Sequence, residues 1–309
     1  MVKRLKLLIS FLFVASFAEA ALGGEINEVI TLKPYGDDDK RYNYPEELLK
    51  RALEKTSSSF PAAVVVRSEM SYSRDRMLQE LLRGERLHVV AEAPKPEWEQ
   101  NLLTIRIPIR KGIQGYRLFL INRQSQEALS KVSNLEDLKA FPTGSGAQWS
   151  TRIAMEKAGF DVRVADNYSD LFRMLKSDRF VTFGRGINEV FSEQAIFEKD
   201  NKDLIVEESL CLYIPLPTYF FVSPKREDLK IQLETGLNMM IEDGTFDELF
   251  TEYFADLLNK ANLVDRRIFR ISNPNLSKDT PLSDDRLWLL PGIQQVKGGV
   301  DQKASVVSE

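Results

Sequence analysis

The sequence predicts an α/β fold of two lobes, each a mostly parallel sheet flanked by helices, with a cleft between them. Strand-like and helix-like runs alternate over residues 25–93, and a second alternating block extends from about residue 118 to 183. A late strand-like run at 219–222 leads into two amphipathic helices. Alternating β and α runs form mainly parallel sheets. The late segment is therefore expected to return to the first block and complete it.

The first block has three strand-like runs separated by two helix-like runs. The strand-like runs cover residues 26–32, 62–67 and 87–91. In the first helix-like run, which opens near Pro45, apolar residues recur at three- and four-residue spacing, the pattern of a helix with one buried face. Gly84 ends the second helix-like run. This order predicts a βαβαβ unit.

The second block repeats the alternation. Strand-like runs cover 117–121, 162–164 and 180–183, and helix-like runs begin at Asn134, after a glycine-rich turn at 143–146, and at Ser169. Two such blocks with a late return would be joined by two crossing segments. Ligands usually bind in interdomain clefts and at the carboxyl ends of parallel strands.

The closing segment, residues 219–254, has the clearest local pattern. After the aromatic strand-like run, Ser223 is predicted to cap a helix whose first residue is Pro224. That helix is predicted to end at Asp243-Gly244, and a capping-box pattern starting at Thr245 opens an aromatic helix.

The N-terminus predicts export. Three basic residues precede an apolar run at 7–17, which Ala18-Glu19-Ala20 follows as a cleavage pattern. Residues 1–20 are therefore interpreted as a cleaved signal peptide and the mature protein as periplasmic. The alternative, a membrane anchor, would need about 20 apolar residues.

Composition narrows the function classes. The formal net charge is −4, which argues against a nucleic-acid partner. One cysteine and one histidine are present, so no intramolecular disulfide and no standard zinc set can form. His88 has no G-x-S-x-G elbow to accompany it. We predict a monomer with no metal site, no cofactor and no catalytic residues.

The closing segment resembles that of the periplasmic solute-binding proteins of the amino-acid-binding type, family 3. The order of strand, S-P-K, long helix, D-G-T-F-D and aromatic helix carries the resemblance. The runs at 107–117, 144–150 and 280–288 resemble a divergent, uncharacterised bacterial branch. The resemblance implies a second lobe inserted into the first. The predicted divisions are a signal peptide (1–20), lobe 1 (21–117), an inserted lobe 2 (118–216), the lobe 1 return with C-terminal helices (217–292) and a disordered tail (293–309).

The glycine-rich turn supplies the first candidate ligand-binding residues. Gly144, Ser145 and Gly146 precede a helix that begins near Gln148, and helix N-termini attract anions. Family members hold the ligand carboxylate with a Gly-x-Thr run here, so the resemblance implies a similar role for Ser145 and Gln148. The alternative is a glycine turn that only starts a helix.

Three basic residues are further candidates. Arg110 and Lys111 end a strand-like run that should reach the cleft and could pair with a carboxylate or phosphate. The alternative interpretation is that both residues are ordinary solvated charges on the surface. The third candidate is Arg185. Family members usually have an aspartate near this position, which binds the ammonium group of the ligand. The resemblance therefore implies that an arginine here favours a more anionic ligand.

The aromatic residues Tyr35, Trp98 and Trp149 are candidate walls for the apolar part of a ligand. Their alternative is a place in the core, where aromatic rings are common.

The leading functional hypothesis is an exported protein that closes its lobes on a small polar or anionic solute for uptake or sensing. Its partner would be a membrane permease or a sensor. One alternative is a lyase or hydrolase on the same fold, with Glu92 or Glu189 as acid or base. Another is an interaction protein that has lost its ligand.

Overall fold

The structure, a computed structural model, describes residues 27–34 and 42–290. The predicted signal peptide, the predicted tail and Tyr35 lie outside the described residues. Within the described ranges, no helix has the length and apolarity needed to cross a membrane.

Helices and strands alternate along most of the described chain. The helices are α1 (Asn43–Lys55), α2 (Arg74–Arg83), α3 (Pro96–Asn101), α4 (Gln126–Ser130), α5 (Leu135–Lys139), α6 (Ser150–Lys157), α7 (Tyr168–Lys176), α8 (Ile187–Phe197), α9 (Glu227–Glu242) and α10 (Thr245–Ala261). The strands are β1 (Asn27–Thr31), β2 (Ala63–Arg67), β3 (Val89–Glu92), β4 (Leu103–Ile105), β5 (Tyr116–Asn122), β6 (Thr143–Gly146), β7 (Val162–Ala165), β8 (Thr182–Gly186), β9 (Leu204–Val206), β10 (Leu210–Tyr213), β11 (Tyr219–Val222) and β12 (Arg267–Arg270).

Lobe 1 is built on β1–β4 and β11, with α1–α3, α9 and α10. β1 and β2 pair in parallel, and β11 lies between β3 and β4, antiparallel to both. The His88 amide donates to the Ile30 carbonyl at 2.8 Å, which joins the two groups of strands. Because β3 and β4 both oppose β11, they run in the same direction.

Lobe 2 is a seven-stranded sheet with α4–α8 around it. The strand order is β12-β10-β5-β8-β6-β7, and β9 also pairs with β5. β5 is antiparallel to β8, β9 and β10, whereas β6 is parallel to β7 and β8, and β12 is parallel to β10. All strands of this sheet except β5 therefore run in one direction, and the predicted α/β fold of two lobes is confirmed.

Two neighbouring segments connect the lobes and orient their sheets. The first crossing joins the end of β4 to the start of β5, and the second joins the end of β10 to the start of β11. They touch, because the Ile214 amide donates to the Gly115 carbonyl at 3.0 Å and the Ile109 amide donates to the Thr218 carbonyl at 2.9 Å. The carboxyl ends of β3 and β4 in lobe 1, and of β6 and β8 in lobe 2, therefore face these crossings.

The C-terminal part of the chain differs from the prediction. β12 pairs with β10 in lobe 2, so the assignment of all of 217–292 to lobe 1 is wrong for this strand. After α10 the chain leaves lobe 1 again, and β12 becomes the edge strand of the lobe 2 sheet beside β10. The predicted cap of α9 also differs: the Ser223 hydroxyl accepts from the Lys225 amide within a turn, and α9 begins at Glu227.

His88 gives the stability of lobe 1 a pH dependence. Burial and the charge of Arg226 lower the pKa of His88 below its ordinary 6.5, and its Nδ1 accepts a hydrogen bond from the Ile30 amide at 3.1 Å. The unfolded chain therefore binds a proton near pH 6.5 while the folded chain does not, so stability falls as pH drops through that value.

We expect His88→Gln to remove this component of the pH dependence. The wild type should lose stability between pH 6.5 and the lower folded pKa, and the variant should lose less over the same interval. Urea unfolding at half-unit pH steps measures the difference. Because the sequence has one histidine, no other imidazole contributes. Parallel curves for the two proteins would contradict the prediction.

Candidate functional site

The candidate site lies where the carboxyl ends of the two sheets face the crossings. We call these two edges the lobe 1 rim, formed by the segments that follow β1, β2 and β3, and the lobe 2 rim, formed by the segments that follow β6 and β8. On the lobe 1 rim, the Lys33 amide donates to the Ser68 hydroxyl and the Ser71 hydroxyl donates to the Pro34 carbonyl. These bonds hold the segments after β1 and β2 together.

The two glycines of β6 are explained by packing within lobe 2. A Cβ at Gly144 would lie 2.3 Å from the Phe180 ring, and one at Gly146 would lie 2.6 Å from the Trp149 ring. Real Cβ atoms do not approach that closely, so aromatic rings lying against the strand require glycine here. This observation supports the alternative interpretation of the turn as structural, at least for Gly144.

Ser145 and Gln148 lie next to the start of α6. The Ser145 hydroxyl is buried and makes no hydrogen bond within the described residues, whereas Gln148 is exposed. α6 begins at Ser150, two residues beyond Gln148. The predicted pair thus lies at the end of β6 and just beyond it, with a buried Ser145 hydroxyl and an exposed Gln148 amide.

Arg185 is held inside lobe 2 by carboxylates of its own chain. Its Nε and one terminal nitrogen each donate to a Glu193 carboxylate oxygen at 2.6 Å, and Glu189 lies 3.1 Å away. The guanidinium also stacks on the Trp149 ring, 4.4 Å from its centroid. With 6 % of Arg185 exposed, most of its hydrogen-bonding capacity is used internally. The geometry therefore gives no support to Arg185 as a free anion-binding cation.

Arg185 belongs to a group of buried and half-buried charges that we call the arginine–glutamate cluster: Arg117, Arg185, Glu189 and Glu193. The positive and negative charges of this cluster balance. Arg117 donates to the Gly184 carbonyl at 3.0 Å and lies 3.9 Å from Glu189. Burial lowers the pKa of Arg117 to about 10. For Arg185, burial lowers the pKa, but the hydrogen bonds and charges of Glu193 and Glu189 outweigh it and raise the pKa overall. Two positive and two negative groups leave this part of the lobe 2 rim without net charge.

Lys111 and Arg110 lie in the first crossing and not on either rim. The Lys111 ammonium is 2 % exposed, lies 2.6 Å from Asp247 and donates to the Arg286 carbonyl at 2.9 Å. It fastens the crossing to α10 and to the C-terminal segment. Arg110 is half-buried beside Tyr44, where burial raises the pKa of the tyrosine and the arginine charge opposes that rise. For Lys111, the predicted ligand contact is replaced by a buried ion pair.

The predicted aromatic walls are divided between two environments. Trp98 is 2 % exposed and meets Phe221 edge to face, with ring centroids 5.2 Å apart, so the alternative interpretation as a core residue applies to it. Trp149 is half-buried, stacked on Phe183 at 6.0 Å, and lies on the lobe 2 rim. The structure thus brings together Ser145, Gly146, Gln148, Trp149 and Arg185, and it separates Trp98, Arg110 and Lys111 from them.

Arg74 is a rim residue that the sequence patterns did not single out. It begins α2, after β2, and donates to the Ala93 carbonyl just beyond β3. Its guanidinium carbon lies 5.4 Å from the centroid of the Trp98 ring, and its Nε is buried and makes no hydrogen bond within the described residues. Glu92, at 3.6 Å, is its nearby carboxylate. The sequence pattern that could have identified Arg74 is a basic residue in the first turn of a helix that follows a strand.

No group of three or more histidine, cysteine or acidic side chains in the described ranges could hold a metal ion. A cavity of about 250 Å³ lies away from the rims, between α7, α8 and β9. Its floor is apolar, formed by Phe172, Phe197 and Leu204.

Comparisons with known proteins find similarity to solved structures at low sequence identity. No protein-family model matches the chain, and no curated protein matches it. The chain is similar to the probable amino-acid ABC transporter extracellular-binding protein YtmK from Bacillus subtilis, at 16 % identity over 74 % of this chain and 98 % of that chain, with a TM-score of 0.49.

It is also similar to an ancestral arginine-binding protein bound to arginine, at 18 % identity over 74 % of this chain and 96 % of that chain, with a TM-score of 0.45. A third similar structure is the ancestral amino acid-binding protein AncCDT-1, a precursor of cyclohexadienyl dehydratase, at 14 % identity over 74 % and 94 % of the two chains, with a TM-score of 0.44. The division of this chain into two lobes rests on its own strand order and crossings.

Proposed function

We propose that this protein is an exported, non-catalytic solute-binding protein that closes its two lobes on a small polar solute. The observation that carries the proposal is the facing of the two rims across paired crossings, since the carboxyl ends of strands in open α/β sheets are where ligands bind. The mechanism is rotation of the lobes about the crossings, with the solute stabilising the closed arrangement. A membrane permease is the proposed partner, with a sensor as the second possibility, and the protein is proposed to act as a monomer.

The charges of the rims favour a polar solute that carries an anionic group. On the lobe 1 rim, the Arg74 side chain is partly exposed and lies 3.6 Å from Glu92, and its buried Nε makes no hydrogen bond to any described residue. An arginine can bind a carboxylate through two parallel hydrogen bonds. On the lobe 2 rim, the arginine–glutamate cluster is neutral and exposes part of Glu189. A solute with a carboxylate directed to lobe 1 and a neutral or positive group directed to lobe 2 fits this distribution.

Thermal-shift screening of the mature chain tests the proposal. The panel consists of amino acids, dicarboxylates, phosphonates and short peptides. We expect at least one class to raise the melting temperature, because a ligand at a hundred times its Kd adds about 2.7 kcal/mol to the free energy of unfolding. A panel without any stabilising compound would count against the proposal.

Two variants locate the binding site once a stabilising compound is found. Arg74→Ala should weaken binding of that compound about tenfold or more, because a charged hydrogen bond contributes about 1.5–3 kcal/mol. Arg83→Ala, at the other end of α2 and 56 % exposed at its side chain, should leave affinity unchanged. Titration calorimetry measures both. Equal affinities of the two variants would remove Arg74 from the site while leaving solute binding itself intact.

The lyase or hydrolase alternative has less support in the geometry. The Glu189 carboxylate accepts a hydrogen bond from the Gly186 amide at 3.2 Å and lies 3.1 Å from Arg185, which is the arrangement of a structural ion pair. Glu92 belongs to the opposite rim, beside Arg74. We therefore propose binding without catalysis.

A further inference from the structure

The C-terminal segment that follows β12, residues 271–289, contacts both lobes in turn. In lobe 2, the Ile271 amide donates to the Tyr213 carbonyl at 3.1 Å, and the Asn275 side chain donates to the Ser150 carbonyl, at the first residue of α6, at 3.0 Å. Between these contacts, the Asn273 side chain donates to the carbonyl of Pro215 in the second crossing at 2.9 Å.

The same segment then reaches lobe 1. Asp279 lies 3.6 Å from Arg106, the residue after β4, and Thr280 is buried. The Thr280 hydroxyl lies near that of Tyr219, at the start of β11, although neither makes a hydrogen bond within the described residues. Four residues after Asn275, the chain has therefore passed from the lobe 2 rim to lobe 1.

The end of the segment is fixed on the first crossing. The Leu289 amide donates to the Lys111 carbonyl at 2.8 Å. The Trp288 ring lies so close to Gly112 that a Cβ there would be 2.5 Å away. Lys111 is bonded in turn to the Arg286 carbonyl and to Asp247 of α10. These contacts hold the end of the segment independently of its middle.

We infer that residues 271–289 form an interlobe strap that limits rotation of the lobes about the two crossings. A pair of crossings alone permits hinge motion. Here the chain makes two more passes, one from α10 to β12 and one along the strap, so four connections must deform together when the lobes rotate. The strap keeps the rims near one spacing, which raises the fraction of molecules in a single interlobe arrangement.

Lengthening the strap tests this inference without any ligand. About six glycine and serine residues inserted between Leu276 and Ser277, between the contact with lobe 2 and the contact with lobe 1, would leave both sets of anchors in place and relax the connection. Spin labels at Glu85→Cys in lobe 1 and Lys157→Cys in lobe 2 report the interlobe distance, since both positions are exposed. Cys211 is fully buried, and burial raises its pKa to about 12, so the native thiol is expected to be protected from the label.

The distance distribution should broaden about twofold with the longer strap. The same insertion between Ser58 and Ser59, in the turn after α1 within lobe 1, is the matched control and should leave the distribution unchanged. Asn275→Ala should broaden it in the same direction by less, and it provides a second variant if the insertion prevents folding. Wild-type distributions for both the lengthened strap and Asn275→Ala would overturn the inference. Because no solute is present, this outcome is independent of whether the screened compounds bind.

Discussion

Gly236→Ala is expected to lower the free energy of unfolding by about 3 kcal/mol or more. Gly236 lies in α9 where this helix crosses α1, and a Cβ there would be 1.9 Å from the Ala52 carbonyl oxygen and 2.7 Å from its carbon. Both atoms belong to the backbone of a helix, so they cannot rotate away as a side chain would. The helices must separate, which weakens the packing of lobe 1. The gain of about 1 kcal/mol in helix propensity from glycine to alanine is too small to compensate.

Gly244→Ala is the matched control, and urea unfolding of both variants is the measurement. Gly244 has a φ of +84°, and no atom of residues 27–34 or 42–290 lies within 4 Å of the position that a Cβ would take there, so alanine meets conformational strain but no clash with them. A left-handed residue costs about 1–2 kcal/mol. If Gly236→Ala were as stable as Gly244→Ala, the close approach of α9 and α1 would be wrong.

Arg185→Ala is expected to lower the free energy of unfolding by about 3–5 kcal/mol at pH 7. Glu193 is 8 % exposed and is held by two hydrogen bonds of 2.6 Å from Arg185. Without the guanidinium, the Glu193 carboxylate is buried beside Tyr168 and loses its hydrogen-bonded charge partner.

Two further variants separate the buried pair from a general loss of charge. Arg173→Ala removes an exposed arginine paired with Asp170 three residues away, and such pairs contribute about 0–1 kcal/mol. Replacing both Arg185 and Glu193 with methionine should recover much of the lost stability, because no charge is then buried alone. Denaturant unfolding at pH 7 measures all three. If Arg185→Ala were as stable as the wild type, the ion pair of Arg185 and Glu193 would not be what holds β8 and α8 together.

Most of the elements that the sequence predicts lie within a few residues of their observed bounds because their signals are local. The strand-like run predicted to end at Arg110 and Lys111 is a turn, and α3, β4 and β12 were not predicted. The periodic apolar residues of α1 and α9 and the Asp243-Gly244 stop after α9 are visible in short windows of sequence. The alternation of strands and helices also indicates two lobes. The sequence pattern places the cap of α9 three residues too early, because Ser223 and Pro224 favour a turn as readily as a helix start.

The candidate site was only partly predictable, because charge partners depend on helix register. Arg185 and Glu193 are eight residues apart in sequence, yet the first turns of α8 bring the glutamate back over the end of β8. Lys111 pairs with Asp247, 136 positions away, and no local sequence pattern near Lys111 predicts this ion pair. Arg74 is easily overlooked because its contacts are with Ala93, just beyond the next strand, and with Trp98, in the helix after it.

The sequence by itself determined the fold class, the two α/β blocks and the closing pair of helices, because hydrophobic periodicity and turn residues act over a few positions. Only the tertiary structure decided that Arg185 and Lys111 are neutralised, that Trp98 is core, and that β12 and the strap return to lobe 2 and bridge the lobes. Those outcomes depend on contacts between distant segments, whose energies are set by burial and by the distance between charges in the folded chain.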